Sequence, residues 1–314
     1  VYNEASGVYA FELGPAEPQS FDSKNTEVLP ALNLKFDLSE DLIARFAWGK
    51  TMTQPGFSQL NPGGTKEASQ RVVNEGNPFL DPYVAQQLDL TLEWYPTESS
   101  IVALAAFGKE VDSFITTTTL VEDWIDPVTN EPIPDLESGG NVRLQYNNPR
   151  NEEGAVIGGI EFAFQHAFTN LPAPWNGLGA QLNYTWVSTN ADFINPNSGA
   201  SFDVPGLSEN TVNAVVFYEN DRWSGRLAWN WRDKFLSMVS DTRSNPRFTK
   251  SYAQLDASLS VNLNERTSLV FEGINLTDNN VEQYNIVGPV SNLEQLRAIS
   301  NTGPRIQVGV RIGL

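Results

Sequence analysis

Residues 305–314 read Arg-Ile-Gln-Val-Gly-Val-Arg-Ile-Gly-Leu. Ile306, Val308, Val310, Ile312 and Leu314 alternate with Arg305, Gln307, Gly309, Arg311 and Gly313. A helix would scatter those five aliphatic side chains around its axis, whereas a strand places all of them on one side. The same period of two recurs upstream. In 253–262, Ala253, Leu255, Ala257, Leu259 and Val261 oppose Gln254, Asp256, Ser258, Ser260 and Asn262. In 223–232, Trp223, Gly225, Leu227, Trp229 and Trp231 oppose Ser224, Arg226, Ala228, Asn230 and Arg232. Segments 87–94 and 178–187 repeat it, and weaker copies lie near 29–38, 42–50, 100–114, 155–168, 211–219 and 267–275. About eleven strands are predicted, several near ten residues and so longer than the usual ~5–6.

The connections alternate as well. Short polar ones at 39–41, 96–99, 220–222 and 264–266 interleave with long ones at 51–84, 115–150, 188–210, 233–251 and 276–301. The connection 169–177 falls on the short side despite its length. Loops beyond about 12–15 residues are uncommon in compact domains and usually functional. One end of the sheet should therefore carry tight hairpins and the other long excursions.

Composition excludes several classes. The 38 Asp and Glu outnumber 20 Lys and Arg, for a formal net charge of −18, which argues against a nucleic-acid partner. With no Cys and one His, disulfides, thiolate zinc sites and His-rich metal centres are out, and neither a metal nor a cofactor is expected. No run approaches the ~18 apolar residues of a membrane-spanning helix. A soluble β-sandwich also alternates, but three features favour a membrane barrel. The strands match the ~9–11 residues that cross a bilayer at a tilt. The faces opposite the apolar ones are rich in Gln, Asn, Asp, Arg and Gly, suiting a wet interior. Aromatic residues gather at strand ends: Trp94, Tyr95, Trp175 and Trp223 near short turns, and Trp48, Trp186, Trp229 and Trp231 near long loops. Eight steps from Trp223 to Trp231 span about 26 Å, roughly 20 Å when tilted, close to the ~25 Å apolar band between two aromatic girdles.

The wording of the segments adds a resemblance. Residues 74–100, NEGNPFLDPYVAQQLDLTLEWYPTESS, resemble the GNPxLxPE…E-Y motif of TonB-dependent outer-membrane receptors, with Tyr83 where an acidic residue is usual. Residues 28–62 are similar to the preceding family hairpin, with Gln54 where Arg is common. Residues 203–236 are similar to a late hairpin of the family, and GINLTDN at 273–279 to its N-L-(F/T)-D motif. The likeness is closest to a proteobacterial group linked to carbohydrate uptake. It implies an all-β, antiparallel transmembrane β-barrel, present here in part, as about 11–12 strands of an expected 22. Residues 28–314 would form the C-terminal half of that barrel. Residues 1–27 would be a loop or the end of an upstream strand, and the plug domain and TonB box would lie outside this sequence. The implied function is active transport of a scarce nutrient, a carbohydrate or siderophore, across the outer membrane of a Gram-negative bacterium. The implied partners are the ligand, outer-membrane lipid and the TonB complex. Such a receptor is not an enzyme. The alternative is a secreted soluble β-sandwich that binds or hydrolyses carbohydrate.

Ligand-binding candidates follow from position. The loop 115–150 holds Asp123, Trp124, Asp126, Asp135 and Glu137, and a Trp outside the strands among acids suits stacking on a sugar whose hydroxyls bond the carboxylates. Asn230 and Arg232 lie on the polar face of 223–232 and would line the lumen wall. A glycosidase needs two carboxylates about 5–10 Å apart. Glu93, Glu161, Asp256 and Glu272 fall on polar strand faces, but with Arg45, Arg226, Arg232 and Arg311 among them they read as lumen solvation. His166 continues the register of Ile160, Phe162 and Phe164 near a turn and reads as an interfacial side chain.

Overall fold

The structure is a computed structural model. It describes residues 2–3, 8–9, 20–67, 70–126, 129–135, 138–191, 193–194, 201–238, 245–287 and 293–313. Eleven long strands run β1 (Ala31–Asp37), β2 (Leu42–Thr53), β3 (Tyr83–Thr97), β4 (Ser100–Asp123), β5 (Arg143–Ala167), β6 (Leu178–Thr189), β7 (Asn210–Glu219), β8 (Trp223–Arg232), β9 (Tyr252–Asn264), β10 (Thr267–Ile274) and β11 (Arg305–Ile312). Each pairs antiparallel with its chain neighbours in the order β1 to β11. Among the described residues β1 and β11 are paired on one side only, so the sheet is an open part of a barrel.

The registers test the reading of the two faces. One lateral row runs through Phe36, Ala44, Leu92, Leu104, Phe162, Tyr184, Val212, Trp231 and Ala253. These are nine apolar or aromatic residues from nine strands. A row one residue over runs through Asp37, Ile43, Glu93, Ala103, Ala163, Asn183, Asn213, Asn230 and Gln254, mostly polar or small. A register slip of one residue in any strand would exchange its two faces. Among the described residues no second layer covers the apolar face: Leu227 is 54% exposed and Val308 66%. A sandwich would bury that face, so the soluble alternative does not describe this fold, and the face is lipid-directed.

Two phenylalanines on the polar face have a steric reason. A Cβ at Gly179 would fall 2.1 Å from the Phe217 ring, and one at Gly159 would fall 2.6 Å from Phe107. Each ring lies over a glycine gap in the neighbouring strand, as aromatic side chains do where sheet glycines leave backbone uncovered.

The aromatic girdles have polar anchors. At the short-turn end the Trp94 indole donates to Asp41 at 3.0 Å. At the long-loop end Trp186 donates to Glu209 at 3.3 Å and the Tyr184 hydroxyl to Asn210 at 2.7 Å. His166 sits among Phe164 and Phe168, its Nδ1 2.5 Å from the Ser100 hydroxyl.

One expectation needs correcting. The long connection 115–150 shrinks to 124–142, because β4 has 24 residues and β5 has 25. Their outer halves stay paired in register from Ser113–Glu153 to Asp123–Arg143. The strands thus continue beyond the ~9–11 residues that span a bilayer. The last two long connections also carry structure: Phe235–Met238, Arg247–Thr249, Val281–Val287 and Leu293–Ser300 form a separate four-stranded sheet.

Candidate ligand site at the long-loop end

The excursion 54–82 between β2 and β3 does not hang free. It crosses to the far edge of the β4–β5 hairpin, where Val72–Asn74 pairs parallel with residues 145–147 of β5. Val73, Leu80, Val84, Val142 and Leu144 are all buried there. The GNPFLDP stretch makes the crossing. Gly76 donates to the Asn61 carbonyl at 2.9 Å and Asn77 to the Gln59 carbonyl at 2.6 Å. The Asn77 amide also donates to the Pro149 carbonyl at 3.3 Å. Asp81 and Asn151 bond reciprocally: the Asp81 N–H donates to the Asn151 side chain at 2.9 Å, and the Asn151 amide donates to the Asp81 carbonyl at 3.1 Å. Tyr83, the departure from the acidic residue of the motif, donates its hydroxyl to the Ile115 carbonyl at 3.1 Å and ties β3 to the extended part of β4.

The hairpin 124–142 is thereby held by both flanks. Arg71, at a positive φ of 55°, pairs with Asp135 at 2.9 Å, and the Asp135 side chain is only 6% exposed. Asn147 donates to Asn74 at 2.7 Å and accepts from Gln145 at 3.2 Å. Neither Arg71 nor the Asn74–Asn147 pair carried any sequence signal, since the partners lie more than 60 residues apart without a shared period. The GNPFLDP motif was visible, but not its role as the crossing.

The candidate side chains divide into two groups. Asp123, Trp124 and Asp126 come together on one hairpin. Asp123 accepts from the Asn141 amide at 2.7 Å, with the Arg143 guanidinium 4.0 Å away. Trp124 is half-buried, and its backbone bonds Val142 and Ile133, so the side chain stands on an ordered ladder and not on a loose loop. Asp126 closes the tip: its carbonyl accepts from Asn130 at 2.8 Å and its side chain from the Thr129 N–H at 3.4 Å. Glu137 lies outside the described residues. Asn230 and Arg232 are elsewhere, on β8, four strands from β4 and so about 19 Å or more away. Asn230 is exposed on the polar face between Asn213 and Gln254. Arg232 is engaged structurally: it donates to the Ser208 hydroxyl and the Gly206 carbonyl, each at 2.9 Å, and its guanidinium lies 3.9 Å over the Phe235 ring.

The carboxylates considered for catalysis are partnered or dispersed. Glu93 accepts from Arg45 at 2.8 Å and from the Tyr95 hydroxyl at 2.8 Å. Asp256 accepts from Gln254 and from the Asn275 N–H, which anchors the N-L-T-D turn where Asn275 adopts φ 55°. Among the described residues no cluster of three or more His, Asp or Glu is placed to hold a metal ion. Residues 124–142 contain Asp126, Glu131, Asp135 and Glu137 and no Lys or Arg; the cations beside the hairpin come from outside that span, Arg71 at Asp135 and Arg143 near Asp123.

Residues 3–276 match the family described as TonB dependent receptor-like, β-barrel. No curated protein matches the chain. Among solved structures, a mutant of the ferric enterobactin receptor from Pseudomonas aeruginosa in complex with enterobactin is similar at 19% identity and TM-score 0.57, over 90% of this chain and 40% of that one. The siderophore receptor PirA from Acinetobacter baumannii is similar at 15% identity and TM-score 0.54, over 90% and 40%. The ferric-catecholate import receptor Fiu from E. coli is similar at 13% and 0.55, over 90% and 34%. At these identities the likeness is one of fold. The chain spans about two fifths of the length of the first two receptors.

Proposed function

This chain belongs to the family of TonB dependent receptor-like β-barrels, in the outer membrane of Gram-negative bacteria, and on that premise we propose that it serves active transport of a nutrient. The ligand would be met first by the hairpin carrying Asp123, Trp124 and Asp126 and then by the lumen wall at Asn230. Arg232 would act from behind, fixing residues 206–208 at the rim. The observation that carries the reading is the pair of adjacent lateral rows, one apolar through nine strands and one largely polar. They separate a lipid face from a wet one. The drive would come from TonB acting on a plug encoded outside these 314 residues.

For the ligand we favour a neutral oligosaccharide. A half-buried Trp on a rigid ladder, flanked by carboxylates, offers a stacking surface and hydroxyl acceptors. Calorimetry on the full-length protein with neutral oligosaccharides and with a ferric catecholate tests this. Binding of the sugar, weakened at least tenfold by Trp124→Ala, supports it. Binding of the catecholate alone, unchanged by that substitution, assigns a siderophore receptor instead.

A further inference from the structure

The polar face of the sheet carries a pocket that neither the hairpin nor Asn230 uses. It lies where β2, β3, β4 and β5 run side by side, and Thr51, Thr53, Tyr83, Lys109, Val111 and Ile157 line most of it. Register explains the juxtaposition. Thr53 pairs laterally with Tyr83, Ala85 with both Thr51 and Val111, and Lys109 with Ile157. By strand alternation these residues share the side of Arg45 and Glu93, the wet side. Gly108, next to Lys109, pairs with Leu88, which in turn pairs with Trp48. The pocket thus opens into the lumen at the height of the outer aromatic girdle. Along β4, Asp123 of the hairpin is about 46 Å further out.

Lys109 sets the chemistry. It is half-buried and makes no ion pair among the described residues. A shortage of acids is not the reason, since the chain has 38 Asp and Glu against 20 Lys and Arg. Lys35, Lys50 and Lys250 each hold a carboxylate, at 2.7, 2.8 and 2.9 Å. The residues lining the pocket include no Asp or Glu. Tyr83 stands at the motif position where an acidic residue is usual, and its hydroxyl is engaged by the Ile115 carbonyl. A half-buried ammonium without a counter-ion is costly, so the pocket is complementary to an anion brought from outside. Thr51 and Thr53 add hydroxyl donors, and the buried Ala85 and Val111 form an apolar back. One cation over an apolar surface suits a singly charged group on a carbon body. The volume of about 270 Å³ falls below the ~300–1,000 Å³ of sites for drug-sized ligands, so the pocket takes one small unit.

We propose that this pocket binds a small carboxylate ligand, a sugar acid by size and donor set, with Lys109 as its counter-ion and Thr51 and Thr53 donating to it. It is a second site, for a different group from the one the hairpin would hold, and does not rest on that reading. The test is calorimetry on the full-length protein in detergent, with D-glucuronate and D-glucose as probes of nearly equal size. Glucuronate should bind at least tenfold more tightly than glucose. Lys109→Met should remove that preference, and Lys250→Met, which deletes a lysine elsewhere, should keep it. Tyr83→Glu, which places a carboxylate in the pocket wall, should weaken glucuronate at least tenfold. Equal binding of the two probes, a preference that survives Lys109→Met, or glucuronate binding lost in Trp124→Ala would each overturn the proposal; the last would move the acid to the hairpin. Should the pocket variants fail to fold, wild-type protein in outer-membrane vesicles gives the answer. Acetylation of Lys109 by an amine-reactive ester, read by peptide mass spectrometry, should slow severalfold with glucuronate and not with glucose. Lys109 already protected before any probe is added would mean that a group of the receptor itself fills the pocket, and would sink the proposal.

Discussion

Gly76 shows how much one missing methyl group decides at the long-loop end. A Cβ there would lie 2.5 Å from the Gln59 carbonyl oxygen, 2.6 Å from that of Asn61 and 2.8 Å from the Asn61 nitrogen. All three are backbone atoms, so none can swing aside, and the crossing of 54–82 over the hairpin has to loosen. Gly76→Ala should cost about 1–3 kcal/mol, read as an increase of tenfold or so in the rate at which protease cuts within 54–82 in outer-membrane vesicles. Gly108→Ala, where the added carbon meets nothing within 4 Å, is the control and should cut at the wild-type rate. Asp41 offers a pH-dependent counterpart at the opposite end. Hydrogen bonds from the Ser39 hydroxyl and then from the Trp94 indole hold its carboxyl below the ordinary Asp value. The folded pKa is depressed, so the anchoring is complete above the ordinary Asp value and is lost as the pH falls through the lower, folded one. The indole ¹⁵N–H resonance of Trp94, identified by its loss in Trp94→Phe, should stay fixed through the ordinary Asp range and move only below it. Movement centred on the ordinary value would mean that the bond to Asp41 does not form.

Strand β8 carries the sharpest test at the level of the element, because adjacent residues face opposite solvents. Leu227→Arg puts a guanidinium on the lipid side and should destabilise the barrel by about 2–4 kcal/mol near the midplane. Arg226→Leu, on the wet side, should cost less than about 1 kcal/mol. Denaturant unfolding of the full-length protein in vesicles ranks the two, and the reverse order would mean that the faces are exchanged. The same division explains what could be read from the sequence. Where a strand lies between lipid and lumen, the two solvents differ and the period of two is clean, as in 223–232 and 305–312. Where β4 and β5 rise past the bilayer, both faces meet water or packed loops, and the alternation ends. Thr116–Thr119 pairs in register with Asn147–Arg150, yet four threonines opposite two asparagines, a proline and an arginine have no apolar side. The period of two therefore stops near 114, although the strand itself continues to Asp123. The site fared likewise. Trp124 and its acids were found by residue type, but their support was not legible. Arg232 read as a lumen-wall ligand residue because its bonds to Ser208 and Gly206 come from another connection.

At the scale of the whole molecule the two edges dominate. β1 and β11 each have one side unpaired among the described residues, and they are seven and eight residues long. Alternate residues of an edge direct both N–H and C=O outward, so about seven residues and roughly 14 backbone groups lack partners across the two edges. Each such group costs several kcal/mol in hydrocarbon. The sum reaches tens of kcal/mol, well above the ~5–15 kcal/mol that stabilises an ordinary domain. The eleven long strands among the described residues are also an odd number, while single-chain bacterial barrels have an even count. The sheet can therefore be stable in a bilayer only as part of a larger closed structure. The fold-level likeness to receptors of which the chain spans about two fifths fits this. The expected outcome is specific. Expressed as these 314 residues alone and refolded in detergent micelles, the chain should give no monomeric band that shifts on heating in a denaturing gel. It should instead form mixed oligomers through the edges at Ala31–Asp37 and Arg305–Ile312. Proline placed at two outward-bonding positions of β11 should reduce that oligomer formation severalfold, since it removes donors from the edge without touching the lipid face. A heat-shifting monomer from the unmodified chain would show that the edges find each other, and that eleven strands suffice to close.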